Sequence, residues 1–358
     1  MAFINVMVVD DSAFMRRAIT TMLENESDIK VIATARSGEE AVQKARQVNP
    51  DVITMDVEMP GIGGLEAVRQ IVADHRIPII MCSSLTREGA ETTFRALEFG
   101  AVDFIAKPDA AYVNITDVAR DLVAKVHAVS RRGAQPAQPL VHRPLPEAER
   151  PRIVGPPVVR VPSTSHYECV AIGTSTGGPV ALSHVIPHLP ANFPLPILIV
   201  QHMPMGFTRP LADRLNSQSK IAVHEALNGM ILEPGTALIV PSGKQIALRR
   251  TGAETEVRLV DDDGSSLHVP SVDVMTAQVA HVYGRGALGV ILTGMGNDGV
   301  RGLKALKERG GYVLGQNEAT CVVYGMPRAA AKEGLVDREA PLDDIAEILC
   351  DLVGVAKS

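Results

Sequence analysis

The first 130 residues alternate short apolar runs with longer segments in which apolar residues recur at helical spacing. The apolar runs have the length of buried strands, and several of the longer segments begin near a Ser or Thr that suits a helix N-cap. Five repeats of strand and helix indicate a small doubly wound α/β domain with a parallel sheet over residues 1–130. The predicted strands are Asn5–Val9, Val31–Ala35, Val52–Met55, Ile77–Cys82 and Val102–Ile105, and the predicted helices are Ser12–Asn25, Gly38–Gln47, Gly64–Asp74, Thr86–Phe99 and Thr116–Val129.

The pattern stops between residues 131 and 166, where eight of the chain's 24 prolines fall. This segment has too little apolar surface to offset the entropy of ordering, so we predict a semi-stiff, Pro-rich linker. The alternation resumes over residues 167–358 and predicts a second α/β domain with a mostly parallel sheet. Its predicted strands are Cys169–Ile172, Pro196–Val200, Ala237–Val240, Gly289–Leu292 and Tyr312–Gly315.

Composition narrows the class of protein. A chain of 358 residues with 46% hydrophobic content can bury two cores. Its formal net charge of -6, without a long Lys/Arg run, argues against a nucleic-acid or anionic-membrane partner. The four cysteines are dispersed and form no CxxC pair, which suggests neither a disulfide framework nor a zinc site. With no basic segment before the first apolar run and no run long enough to span a membrane, we expect a soluble, cytoplasmic protein.

Polar side chains follow four of the predicted strands in the first domain. Asp10 and Asp11 follow the first strand, Asp56 the third, Ser83 the fourth and Lys107 the fifth. Because the carboxyl ends of parallel strands meet at one edge of a sheet, we expect these side chains to lie together. Clustered carboxylates suit a divalent cation such as Mg²⁺, and a hydroxyl and an ammonium supply donors for a phosphoryl group. One such residue alone is unremarkable, but five at strand ends indicate a phosphoryl site.

The stretches VVDDS, DVEMPGIGG and FIAKP resemble the receiver domain of response regulators, over roughly residues 1–130. The resemblance implies a flavodoxin-like, five-stranded fold in which Asp56 is the phosphoacceptor. It also implies that Mg²⁺ is bound for phosphorylation. By position it assigns the metal to Asp10, Asp11, Asp56 and the backbone carbonyl of Glu58, and it assigns the switch and phosphoryl contacts to Ser83, Phe104 and Lys107.

A Gly-rich turn, GTSTGGP, enters a predicted helix after the first strand of the second domain and presents Ser175. A serine in such a turn lies near backbone N–H groups that stabilise negative charge, although the same turn could hold a dinucleotide phosphate. His202 follows the next strand, and Asp298 lies in the GMGNDG segment after another. Separately, His202 could be a turn histidine and Asp298 could cap the helix predicted near Val300. Together, the three strand-end residues favour a Ser-His-Asp triad.

The chain order Ser, His, Asp differs from that of α/β-hydrolases, so we disfavour that fold despite the G-x-S-x-G match. GTSTGGP, QHMPMGFT, PSVDVM, ILTGMGNDG and QNEATCVVYGMPRAA instead closely resemble the catalytic domain of chemotaxis protein-glutamate methylesterases, over roughly residues 167–350. By position, the resemblance implies Ser175 as nucleophile, His202 as general base and Asp298 as orienting carboxylate. It implies that Thr176 and the Met295 N–H support the oxyanion.

The two resemblances together imply a phosphorylation-activated serine esterase that demethylates glutamyl methyl esters of chemoreceptors and deamidates receptor glutamines. Ester hydrolysis would need no cofactor. The implied partners are methylated chemoreceptors and a chemotaxis histidine kinase, with recruitment to receptor arrays and no membrane insertion. The rival classes are a non-catalytic binding module, which the triad opposes, and a DNA-binding regulator, which the acidic charge opposes. The run Asp261-Asp262-Asp263-Gly264 lacks the spacing of a calcium loop and is interpreted as a solvated hairpin turn.

Overall fold

The computed structural model describes residues 3–107, 115–130 and 167–355. The predicted linker at residues 131–166 lies outside the described residues, and the proposed domain limits stay predictions. The strands are β1 Ile4–Val9, β2 Ile29–Ala35, β3 Val52–Asp56, β4 Ile79–Ser83, β5 Asp103–Ala106, β6 Cys169–Thr174, β7 Ile197–Gln201, β8 Ala222–Glu225, β9 Thr236–Ile239, β10 Gln245–Thr251, β11 Glu254–Val260, β12 Ala287–Ile291, β13 Tyr312–Gln316 and β14 Arg338–Ala340. The α-helices are α1 Ala13–Glu24, α2 Gly38–Val48, α3 Gly63–Asp74, α4 Arg87–Glu98, α5 Ile115–Ser130, α6 Gly178–Val185, α7 Thr208–Gln218, α8 Val272–Tyr283, α9 Val300–Glu308, α10 Met326–Lys332 and α11 Leu342–Val353.

The first sheet is five-stranded, with the order β2-β1-β3-β4-β5 and parallel pairing throughout. Strands β3 and β4 are buried along their whole length, as continuous apolar runs in a sheet covered on both faces should be. Ser12, Ser37 and Thr86 cap α1, α2 and α4 through their side-chain oxygens, which explains why these helices begin where they do. The predicted doubly wound, five-stranded fold is confirmed.

The second sheet has seven strands in the order β14-β13-β12-β6-β7-β9-β8, and every pair in it is parallel. The three central strands, β12, β6 and β7, are fully buried between helices. Their carboxyl ends therefore meet at one edge, where a doubly wound sheet places its site. The predicted second α/β domain with a mostly parallel sheet is confirmed.

Sequence patterning missed four strands of the second domain. β8 and β14 are edge strands of four and three residues, which are too short to show a period. β10 and β11 form a separate antiparallel hairpin that turns at Gly252, a residue with positive φ. The interpretation of Asp261-Asp262-Asp263-Gly264 as a hairpin turn is wrong, because this run follows β11 and begins the loop to α8. There Gly264 N donates to Asp262 and Ser265 N to Asp263, so the carboxylates stabilise local turns.

The two domains share a packed interface. Phe94 of α4 and Phe104 of β5 contact Phe207, which directly precedes α7 in the second domain. All three rings are buried. At the edge of this aromatic cluster, Arg214 forms an ion pair with Glu98. An apolar centre with a charged rim is the usual composition of a protein interface.

Candidate functional site

Ser175, His202 and Asp298 converge at the carboxyl edge of the second sheet. Ser175 follows β6, His202 follows β7, and Asp298 lies in the loop between β12 and α9. Because β6 pairs with both β7 and β12, the three residues come from adjacent strand ends. The strand order therefore brings all three residues to one edge of the sheet, as the sequence predicted. Their chemical roles remain proposals.

The turn that carries Ser175 is built around two glycines. Gly177 has φ +78°, a conformation that other residues adopt at a cost, and a Cβ on Gly178 would overlap the side chain of Gln201. Pro179 then occupies the first turn of α6. The Ser175 N–H donates to Thr293 O at 3.0 Å, which fixes the turn against the neighbouring loop and leaves Ser175 half-buried at the surface of the site.

His202 and Asp298 form a hydrogen bond. The distance between His202 Nε2 and Asp298 Oδ2 is 2.8 Å, and both side chains are about nine-tenths buried. The other ring nitrogen, Nδ1, is also buried and has no hydrogen-bond partner among the described residues. With Nε2 directed at a carboxylate, the proton of a neutral imidazole lies on Nε2, and Nδ1 is left as an acceptor.

Asp298 accepts three further hydrogen bonds, all from the start of α8. Its carboxylate receives Ser271 Oγ–H at 2.9 Å, Val272 N–H at 2.7 Å and Asp273 N–H at 2.9 Å. Burial by itself opposes ionisation, but the His202 contact and these N–H groups outweigh it and hold the pKa of Asp298 well below its ordinary value. Asp298 is therefore an anion that can orient an imidazole.

The alternative reading of Asp298 as a cap for the helix near Val300 is wrong. Gly299 is the N-cap of α9 and gives it no side-chain hydrogen bond. Asp298 instead serves a different helix, α8, and His202.

Two contributors to this site were missed at the sequence level. Gln201 Nε2 donates to Ser175 O at 2.9 Å and to His202 O at 2.8 Å, so one amide fixes the backbone at both Ser175 and His202. His268 stacks on His202 with ring centroids 4.1 Å apart and the planes within 17° of parallel. Burial, followed by the neighbouring His202, lowers the pKa of His268. Gln201 lies in the QHMP motif, and His268 lies just before the PSVDVM motif. The spacing of apolar residues along the chain, however, does not reveal contacts between segments that are distant in sequence.

The predicted oxyanion residues lie on two loops beside Ser175. Thr176 is buried in the Gly-rich turn, and its carbonyl accepts the Thr293 hydroxyl at 2.9 Å. Met295 lies in the loop after β12, next to Gly294, whose N–H and carbonyl are both bonded to the segment at Val323–Met326. A Cβ on Gly294 would lie 2.9 Å from Ser175 Cβ, which shows how closely this loop approaches the serine.

In the first domain, oxygens of Asp10, Asp11 and Asp56 lie within 4.8 Å of one another at the ends of β1 and β3. Lys107 Nζ contacts Asp56 Oδ1 at 2.7 Å and Asp10 Oδ2 at 3.1 Å. Burial raises the pKa of Asp56 to about 6 despite the contact with Lys107. Asp56 Oδ2 is buried without a hydrogen-bond partner among the described residues. An oxygen-only, acidic cluster with an unused buried carboxylate oxygen fits Mg²⁺.

The remaining predicted residues surround this acidic cluster. Glu58 N–H donates to Asp56 Oδ1 at 3.1 Å, and the Glu58 carboxylate accepts the Ser84 hydroxyl. Ser83 is buried, and its hydroxyl donates to Ser84 O at 3.2 Å. Phe104 is buried on the interdomain side.

Lys125 of α5 holds the backbone at Phe104. Its ammonium donates to Phe104 O at 2.6 Å and pairs with Asp103 at 3.3 Å. No part of the sequence pattern indicated this contact.

Comparison with known protein families gives a separate match for each of the two α/β domains. Residues 170–349 match the family model described as CheB methylesterase, and residues 6–115 match the response regulator receiver domain. The chain is 46% identical to the protein-glutamate methylesterase/protein-glutamine glutaminase 2 of Nitratidesulfovibrio vulgaris, over 96% of this chain and 97% of that protein. It is 44% identical to the protein-glutamate methylesterase/protein-glutamine glutaminase 1 of Oleidesulfovibrio alaskensis, over 98% and 99% of the two chains.

Among solved structures, the catalytic domain of the Thermotoga maritima CheB methylesterase matches with a TM-score of 0.51 and 42% identity. The match covers 52% of this chain and 99% of that one.

Proposed function

The chain belongs to the CheB methylesterase family, and from that premise we propose that it is a phosphorylation-controlled serine esterase acting on chemoreceptors. Its substrates are glutamyl methyl esters, and receptor glutamines are deamidated at the same site. The names of the relatives support a carboxylic ester hydrolase with glutaminase activity. The observation that carries the proposal is the bond between His202 and an anionic Asp298 beside Ser175 at adjacent strand ends.

The proposed reaction begins at Ser175. Its hydroxyl attacks the side-chain carbonyl of the glutamyl ester while His202 Nδ1, which has no hydrogen-bond partner in the described part of the chain, accepts the proton. The imidazolium then donates that proton to the departing methoxide, which leaves as methanol. Water, deprotonated by His202 in the same way, hydrolyses the acyl-enzyme and frees Ser175. An amide substrate follows the same steps with ammonia as the leaving group.

Charge that develops on the carbonyl oxygen needs donors on the Ser175 side of the site. The N–H of Met295 is suited to this, since its loop approaches Ser175 closely and since it donates to no partner among the described residues. Thr176, next to the nucleophile, lies on the other loop. Removal of one oxyanion donor costs about 10²–10³-fold in rate in serine hydrolases.

The acidic cluster of the first domain provides the input. An Asp56 carboxylate oxygen attacks the phosphorus of a phosphorylated donor, the bond between phosphorus and the donor breaks, and the donor leaves without its phosphoryl group. Lys107 is placed to neutralise a phosphoryl oxygen. Asp10, Asp11 and Asp56, with the Glu58 carbonyl, would hold Mg²⁺, which supplies the charge needed to bring a carboxylate and a phosphoryl group together. The phosphodonor we propose is a chemotaxis histidine kinase.

The interdomain contacts support inhibition by the unphosphorylated receiver. Phe207, on which Phe94 and Phe104 pack, follows the loop that begins at His202. Val323 packs against the core of the first domain, and its carbonyl accepts the Gly294 N–H beside Met295. Of the α5 charges that face this region, Asp121 raises the pKa of His268 and Arg120 lowers it, both less than burial and His202 do. The receiver therefore contacts two segments that adjoin the proposed triad, one at Phe207 and one at Val323.

No helix in the described ranges combines the length and hydropathy that a membrane crossing requires. We propose that the protein reaches its membrane-bound substrates by recruitment to receptor arrays.

The decisive assay combines the purified full chain, Mg²⁺ and a small phosphodonor with methylated chemoreceptors and measures methanol release. We expect release that depends on Ser175 and increases with phosphodonor. If several receptor types yield no methanol, the proposed substrate is wrong. If the rate of methanol release is the same with and without phosphodonor, the proposed control through Asp56 phosphorylation is wrong.

A further inference from the structure

Asp273 and Asp298 each accept hydrogen bonds from the N-terminus of the helix that adjoins the other residue. Asp298 precedes α9 but accepts the N–H groups of Val272 and Asp273 at the start of α8. Asp273 lies in the first turn of α8, and its Oδ1 accepts the N–H groups of Gly299 and Gly302 at the start of α9, both at 2.9 Å. The carboxylate beside each helix thus caps the N-terminus of the other helix, an arrangement called here a cap exchange.

This exchange fixes the loop that carries Asp298. α9 has no side-chain cap from its own N-cap residue, Gly299, which has φ +109°. The Asp273 carboxylate supplies the missing acceptor from outside the helix and places a negative charge where the helix dipole favours one. Because Gly299 directly follows Asp298, a bond to the Gly299 N–H holds the backbone one residue from the triad carboxylate.

α8 and α9 can each be capped by a carboxylate beside the other because they approach closely at Gly302. A Cβ on Gly302 would lie 2.5 Å from Asp273 O and 2.9 Å from Thr276 Cβ, so only glycine fits there without displacing α9. The second oxygen of Asp273 receives Arg301 Nε–H at 2.9 Å. The Arg301 side chain is 79% exposed, so this ion pair contributes little on its own. The position of the Asp298 loop is therefore fixed by the two buried hydrogen bonds that Asp273 Oδ1 accepts from Gly299 and Gly302.

We propose that Asp273 is a positioning residue for ester hydrolysis, which holds Asp298 at bonding distance from His202. This inference rests on the proposed triad, because Asp273 would affect catalysis only by holding Asp298 in position. Asp273 touches neither Ser175 nor His202 through any hydrogen bond of the described residues, and it takes no part in proton transfer. If its cap is lost, the Asp298 loop shifts and the imidazole loses its fixed orientation. Substrate binding is left unchanged.

The test compares variants of the full chain, assayed with saturating phosphodonor and methylated chemoreceptors. Asp273→Ala removes the acceptor, and Asp273→Glu keeps the charge but moves the oxygens outward by one methylene. Asp273→Asn retains an oxygen that can accept from Gly299 and Gly302. The matched control is Asp344→Ala, which removes an exposed acid from the first turn of α11, away from the triad.

We expect Asp273→Ala and Asp273→Glu to lower kcat by about 10- to 100-fold, because a misplacement of about 1 Å can cost that much. KM should stay within about twofold. Asp273→Asn should retain most of kcat, and Asp344→Ala should match the wild type. A proton resonance far downfield, from the His202–Asp298 hydrogen bond, should be lost in the Glu variant and kept in the Asn variant.

Two outcomes separate the inference from the function on which it rests. If Asp298→Ala is strongly impaired but folded Asp273→Ala and Asp273→Glu keep wild-type kcat, the positioning role is wrong and the triad stands. If Asp298→Ala itself turns over normally, the triad is wrong and the positioning role falls with it. Should Asp273→Ala fail to fold, the Glu variant decides, and equal loss in the Asn variant would also overturn the proposal.

Discussion

Phe104 of the receiver sheet packs against Phe207 of the catalytic domain, with ring centroids 4.6 Å apart and the rings tilted by 36°. Phe104 is the residue that the receiver resemblance assigns to the aromatic switch. Phe207 lies five residues after His202 and directly before α7. The contact therefore joins the strand that would respond to Asp56 with the segment that carries His202, the proposed general base.

A contact of this kind can regulate activity without large energies. If docking favours the closed arrangement by about 1.4 kcal/mol, the open form is reduced tenfold. Phosphorylation needs only to remove that preference. Two aromatic contacts cross the interface, Phe94–Phe207 at 6.3 Å and Phe104–Phe207 at 4.6 Å, and such pairs are worth roughly 0.5–1.5 kcal/mol each. The aromatic cluster is thus large enough for the task.

Ser175→Ala should abolish ester hydrolysis and leave the fold and receptor binding intact. The substitution deletes one hydroxyl at the surface of the site, and loss of a triad nucleophile costs on the order of 10⁶ in rate. Methanol release and thermal unfolding should be measured together. Ser183→Ala in α6 is the control, since its hydroxyl donates to Pro179 O within the same helix. Normal turnover by folded Ser175→Ala protein would exclude Ser175 as the nucleophile.

The sequence predicted much of this site because strand-end residues need only the strand order to bring them together. Ser175, His202 and Asp298 could be found this way, as could Asp10, Asp11 and Asp56. Other contributors could not be found.

Gln201 and Asp273 act through hydrogen bonds between segments distant in sequence, and His268 acts by stacking from a loop without a period. The short edge strands β8 and β14 were not predicted from the sequence, because three or four residues are too few to show an alternation of apolar and polar positions.

His268 should make the protein less stable in mild acid. In the unfolded chain a histidine binds its proton near pH 6.5, whereas in the folded chain burial and His202 lower the pKa of His268. The unfolded state therefore binds more protons as the pH falls below about 6.5, and stability is lost until the folded pKa is passed. Asp298 and Asp121 oppose this lowering, while Arg120 adds to it.

His268→Phe keeps an aromatic ring against His202 but cannot titrate. Urea unfolding at pH 7 and pH 5 should show a smaller loss of stability for this variant than for the wild type. His224→Phe, at an exposed position of β8, serves as the control and should behave like the wild type. Identical pH dependence in all three proteins would show that His268 does not contribute.

Asp56→Asn should prevent phosphorylation, because an amide lacks the nucleophilic carboxylate oxygen. Its esterase should then respond to no phosphodonor and remain at the unphosphorylated rate. Intact mass and methanol release report the two effects. Asp51→Asn, the same change at an exposed acid just before β3, should be phosphorylated normally. A stoichiometric phosphate on Asp56→Asn would mean that another residue accepts it.

A fragment that begins near Ser165 should be active without phosphodonor and indifferent to it. The solved catalytic domain of the Thermotoga maritima relative supports independent folding of such a fragment. Removing the receiver also removes Phe94, Phe104 and Glu98 from the region around Phe207 and α7. A fragment no faster than the unphosphorylated full chain would contradict inhibition and would assign the receiver a stimulatory role.

Glu98 and Arg214 allow the docked interface to be tested without deleting a domain. They pair across it at the rim of the aromatic cluster, and Glu98 also accepts Gln218 Nε2–H at 3.3 Å. Glu98→Arg or Arg214→Glu places like charges together and should favour undocking by roughly 0.5–1 kcal/mol, the scale of an ion pair that solvent still reaches through Glu98. The unphosphorylated rate should then increase by about two- to fivefold.

The double reversal restores opposite charges and should return the rate toward the wild type, which separates a pairwise contact from unrelated damage. Arg209→Glu, on the same helix but paired with Asp213 within it, is the control and should leave the basal rate unchanged. All rates are measured as methanol release without phosphodonor and again with it, where the variants should converge because the phosphorylated receiver has undocked. If both single reversals keep the wild-type basal rate while the isolated catalytic fragment is fast, the inhibitory contact does not involve this ion pair. It must then rest on the aromatic cluster at Phe207 or on the contact where Val323 packs against the receiver core.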